Sequence, residues 1–126
     1  MTPPAPRDPL PTLSPRASLR HDAQPDQQRL DTASDLFRML ADSTRLHLLW
    51  LLTQGESDVA ALTTATGATR TSISQHLAKL RFAGLVATRR EGRHIIYRLA
   101  DGHLARLVQE GLNHADHRVT GEPPHS

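Results

Sequence analysis

The spacing of apolar residues changes character once, at Gly84, and that change constrains the fold more than any other feature of the chain. Before it, apolar side chains recur at helical spacing. They do so at Leu30, Ala33, Leu36, Phe37 and Leu40, then at Leu46, Leu48, Leu49, Leu51 and Leu52. Two further stripes follow, Val59, Ala60, Leu62 and Ala65, then Ile73, Leu77 and Leu80. Asp42, Ser57 and Thr69 stand where helix N-caps belong. Thr66-Gly67-Ala68 reads as a tight turn, with glycine where a positive φ is cheap. After Gly84, residues 85–90 and 94–99 are strand-like runs, and Glu91-Gly92-Arg93 predicts a three-residue hairpin loop. A last helical stretch, residues 101–118, carries Leu104, Leu107, Val108, Leu112 and Ala115 on one stripe. Helix, helix, helix, turn, helix, hairpin, helix is the order of an α+β, mainly helical winged helix-turn-helix. It has a two-stranded wing and a C-terminal helix.

The flanks differ in composition. Residues 1–28 hold seven of the nine prolines and no periodic apolar pattern, which predicts a disordered arm. That arm has no apolar run of the signal-peptide kind. The domain is expected over residues 29–118, and residues 119–126 read as a flexible tail. No stretch is apolar enough to span a membrane. The chain has no cysteine, which excludes disulfides and thiolate metal sites and fits a cytoplasmic protein. Net charge is only +2, but Arg89, Arg90, Arg93, His94 and Arg98 crowd the hairpin.

The helix before Gly84 has the makings of a DNA-reading element. With Ile73, Leu77 and Leu80 inward, its other face offers Thr71, Ser72, Gln75, Ala78 and Lys79, flanked by Arg70 and Ser74. No acid lies between Thr69 and Ala83. Serine and glutamine can read base edges, arginine can fork onto guanine, and lysine holds phosphate. Arg70, Thr71, Ser72, Ser74 and Gln75 are therefore expected to carry base readout. Lys79, Arg89 and Arg93 are expected to contact phosphate. A solvated helix face and an arginine-guarded strand edge are the plainer explanations. The turn before the helix and the basic hairpin after it favour DNA.

The last helical stretch carries a second chemistry. Asp101, His103, His114 and His117 read as D-x-H and H-x-x-H, ten residues apart. On one helix His103 and His114 fall roughly 20° from eclipsed but about 16 Å apart along the axis. Metal–ligand bonds of about 2 Å cannot bridge that gap. A second copy of the helix, packed antiparallel, closes it, bringing Asp101 and His103 of one chain to His114 and His117 of the other. The spacing thus predicts a homodimer with two symmetric four-ligand sites. One carboxylate and three imidazoles suit Zn(II) in a closed tetrahedral site. Extra ligands from His21, Asp116 or His125 would instead suit Ni(II) or Co(II). His76 is expected to be structural, His47 structural or on the surface, and His94 an ordinary strand residue, with a phosphate contact as its less favoured role.

The chain resembles the ArsR/SmtB family of bacterial metal-sensing repressors. The matching segments are FRMLADSTR from Phe37, SISQHLAKL from Ser72, AGLV from Ala83, and Gly92-Arg93 with Tyr97-Arg98-Leu99 in the hairpin. The resemblance implies a homodimeric repressor that loosens from its operator when metal binds. Soft-metal sensors of that family carry C-x-C where this chain has Asp58 and Ala60. What matches instead is the family's C-terminal-helix site, at Asp101, His103, His114 and His117.

These features predict a metal-responsive repressor acting on operator DNA, with a metal exporter as the regulated function. Three rivals stand beside it. One is a winged-helix regulator answering a non-metal signal, and another is a dimer with a purely structural metal clamp. The third, a zinc hydrolase, lacks the glutamate of H-E-x-x-H and an open coordination position.

Overall fold

The computed structural model describes residues 23–121. The expected arm lies mostly outside the described residues, as do His21 and His125. Five helices are described: α1 (Gln27–Leu40), α2 (Ser43–Thr53), α3 (Val59–Thr66), α4 (Arg70–Phe82) and α5 (Gly102–Thr120). Three strands, β1 (Ser57–Asp58), β2 (Val86–Glu91) and β3 (His94–Leu99), form an antiparallel sheet in the order β1-β3-β2. This is the winged helix-turn-helix architecture, mainly helical.

Side-chain caps set the helix starts. Asp26, Asp42, Asp58, Thr69 and Asp101 each accept a backbone N–H from three residues on. Each satisfies a donor that the first turn leaves unpaired. Asp26 starts α1 two residues inside the expected arm, so Gln27 and Gln28 are helical. At the other end α5 continues through Val119 and Thr120, placed in the tail from sequence, and stops at Gly121 with φ 75°.

Two expectations are corrected. Ser57 does not cap α3; Asp58 does, and Ser57-Asp58 forms β1 against Tyr97 and Ile96 of β3. The wing is therefore anchored by a third strand. The hairpin loop has two residues, because Glu91 pairs with His94. Gly92 alone has positive φ there, 61°, as a type II′ turn requires.

The core is wholly apolar. Leu48, Leu49 and Leu52 of α2 meet Leu62 of α3, Ile73, Leu77 and Leu80 of α4, Val86 of β2, and Leu104 and Val108 of α5. No polar side chain is buried among the described residues. Each such leucine is worth about 1.5–3 kcal/mol relative to exposure. By contrast α1 buries no residue, and its Leu30 and Phe37 stay 47% and 54% exposed. Its inner side borders an open, largely apolar groove with Ala83 and Leu85. Arg45 fastens α1 to α2, donating Nε–H to the Met39 carbonyl at 2.8 Å while its own N–H is held by Asp42.

Candidate nucleic-acid interface and metal centre

Helix α4 presents its polar face outward because Ile73, Leu77 and Leu80 are drawn fully into the core. Arg70, Thr71, Ser74, Gln75 and Ala78 line one open groove on its solvent side, and Lys79 is exposed beside it. Ser72 is set apart. It is half-buried, and its N–H donates to the Thr69 hydroxyl at 3.1 Å. His76 turns inward, its Nδ1 3.9 Å from Asp42 Oδ1. The Asp42 carboxyl is held below its ordinary pKa, first by the Arg45 N–H it accepts. The charges of Arg45 and His76 act in the same direction, and burial opposes them.

The wing arginines fall into two groups. Arg93 at the turn and Arg90 beside it are exposed, with no ion pair among the described residues. Arg89 is engaged. Its Nε and Nη2 lie 3.0 and 2.9 Å from Glu56 Oε2, and its Nη1 lies 2.6 Å from Glu91 Oε2. Those two carboxylates, Glu91 foremost, raise its already high pKa. Beside this pair His94 Nδ1 lies 3.2 Å from Asp58 Oδ2. Sequence reasoning missed Glu56 and Asp58. Their signal was a period-two alternation too short to read as a strand.

Asp101, His103, His114 and His117 sit on one continuous helix, Asp101 as its cap and the three histidines within it. Asp101 Oδ1 accepts the Leu104 N–H at 2.9 Å. His103 and His114 are exposed and His117 is half-buried. Among the described residues, no three carboxylate or imidazole groups of a single chain gather closely enough to hold an ion. The donor set itself, one oxygen and three nitrogens, fits Zn(II) or a related divalent ion. Asp116 is exposed next to His117.

Comparison with known proteins agrees with this architecture. Residues 42–88 match the model of the bacterial regulatory protein, arsR family. The HTH-type transcriptional regulator KmtR of Mycobacterium tuberculosis is 45% identical over 104 residues, 82% of this chain and 79% of that protein. The HTH-type transcriptional repressor SmtB of the same species is 39% identical over 93 residues, 74% of this chain and 69% of that one. A homodimeric winged helix-turn-helix DNA-binding domain from Mycobacterium bovis, described as a possible ArsR-family regulator, superposes with a TM-score of 0.69. It is 37% identical, and the match covers 84% of this chain and all of that one. These relatives are transcriptional regulators, not enzymes, and no described helix is long and apolar enough to cross a membrane. The chain belongs to the ArsR family of bacterial regulatory proteins.

Proposed function

We propose that the chain is a metal-responsive transcriptional repressor. As a metal-free homodimer it binds two operator half-sites in the cytoplasm. It lets go when a divalent ion occupies each of two intersubunit sites. Asp101 and His103 of one protomer, with His114 and His117 of its partner, would hold that ion. The observation that carries the reading is the placement of a D-x-H and an H-x-x-H set on one helix, at a spacing a single chain cannot use. The uncovered apolar side of α1 supports the dimer, as does the homodimeric assembly of the Mycobacterium bovis neighbour.

On DNA, Arg70, Thr71, Ser74 and Gln75 would meet base edges, with Ser72 nearer the backbone and Lys79, Arg90 and Arg93 on phosphate. A short backbone path links the two sites. Leu85 donates its N–H to the Leu80 carbonyl near the end of α4 and accepts the Ala100 N–H, at 2.9 and 3.0 Å. Ala100 is the neighbour of Asp101. Side chains held to the partner at Asp101 and His103 would thus restrain the position of α4. A coupling of about 1–3 kcal/mol is enough to matter. When bound, the ion supplies the crosslink between protomers. Zn(II) is our first choice for four ligands, with Ni(II) or Co(II) if Asp116 or residues outside the described region add more.

The test is operator affinity of the parent and of His117→Ala, each with chelator and with saturating Zn(II), Ni(II) or Co(II). Both should bind alike without metal, and only the parent should release DNA with it. A parent indifferent to all three ions leaves a structural clamp or a regulator of another signal. The open groove beside α1 is the observation that favours the latter. A metal-free variant unable to bind DNA would make His117 a folding residue.

A further inference from the structure

We propose that Glu56 and Asp58 position the wing, and that Arg89 serves this clamp instead of contacting phosphate. The inference rests on the operator-binding reading above and replaces the phosphate contact that the sequence suggests for Arg89.

Strand periodicity builds the clamp. Side chains two residues apart share a face, and directly paired residues share it across strands. Asp58 pairs with Ile96, Ile96 with Arg89, and His94 with Glu91, so all five lie on one face of the sheet. Glu56, two residues before Asp58, reaches the same side and takes Arg89 through two nitrogens. Glu56 and Asp58 come from the segment between α2 and α3, whereas Arg89 and His94 come from the hairpin. The contacts therefore span a sequence separation of 33 residues from Glu56 to Arg89 and fix the hairpin against the body of the domain. β1 alone contributes only two paired residues to that junction.

Charge accounting points the same way. Arg89 already has two carboxylates as partners, so its positive charge is more than offset and a phosphate there would meet net negative charge. Arg90, on the opposite face of β2, and Arg93, at the turn, have no such competitor among the described residues. The clamp sets the tilt at which these two free arginines meet the duplex.

The test uses the full-length, metal-free protein and two readouts. The first is hydrogen exchange of the amides of residues 90–95, without DNA, in the parent, Glu56→Gln, Arg89→Ala and the double variant. Exposed ion pairs are weak, so each single change should speed exchange roughly 1.5- to 5-fold in the wing alone. The double variant should exchange no faster than the faster single one. Unchanged exchange in Glu56→Gln, or effects that multiply, would overturn the clamp. The second readout is the salt dependence of binding to a mixed-sequence DNA duplex. Arg93→Ala should lower the salt slope by about one, and Arg89→Ala should leave it at the parental value. An Arg89→Ala slope reduced as far as that of Arg93→Ala would make Arg89 a phosphate contact and overturn the assignment. A parent that binds no duplex would defeat the repressor reading, while the exchange cycle would still decide the clamp.

Discussion

Asp101 Oδ1 accepts the backbone N–H of Leu104 at 2.9 Å, so the carboxylate proposed as a metal ligand is also the cap that starts α5. One oxygen holds the helix and the other remains for a second partner. The two roles separate by substitution. Asp101→Asn keeps an acceptor for the Leu104 N–H and should fold with nearly parental stability, yet bind Zn(II) more weakly. Asp101→Ala should in addition lose about 0.5–2 kcal/mol of stability. Denaturant titration of the apo proteins, followed by metal titration, checks both. Equal metal affinity in the parent and Asp101→Asn would remove Asp101 from the ligand set.

The intersubunit geometry has its own test. A His103→Ala chain mixed with a His114→Ala chain gives a heterodimer in which one site loses both histidines and the other keeps all four ligands. Metal titration should find one site per heterodimer and far weaker binding in either homodimer. A mixture that dimerises and binds no metal would refute the antiparallel pairing.

Base readout should be visible at Gln75, which lines the exposed groove of α4. Gln75→Ala should cost about 1–3 kcal/mol of operator affinity and relax sequence preference. Competition between operator and mixed-sequence duplexes measures it. A loss equal on both would reassign Gln75 to the backbone.

The joint between α1, α2 and α4 should respond to acid. Asp42 caps α2 with its pKa held below the ordinary 3.8, chiefly by the Arg45 N–H. A depressed carboxylate contributes stability that is fully present above its unfolded pKa and is lost as pH falls through the folded one. Asp42→Asn keeps a cap acceptor without the charge. Its stability deficit against the parent should therefore be full at about pH 5 and shrink as pH falls below the unfolded value. Urea unfolding across that range gives the answer. A deficit constant with pH would show that the charge of Asp42 does not matter.

Much of this was legible in the sequence because local physics decides it. Apolar spacing sets helix faces, Asp42 and Thr69 announce helix starts, and Gly67 and Gly92 take the positive φ their turns need. The polar outer face of α4 follows from where Ile73, Leu77 and Leu80 must go. The eleven-residue step from His103 to His114 fixes by helix geometry alone that one chain cannot close the proposed metal site. Long-range pairing decided the rest. Ser57 and Asp58 form a strand only because β3 supplies an edge to bind, and no two-residue segment carries that information locally. Arg89 looks like any other arginine in the hairpin until the sheet brings Glu56 to it across 33 residues. The junction through Leu85 and Ala100, which joins α4 to Asp101, likewise exists only in the folded chain, because its hydrogen bonds use backbone groups that every residue type shares.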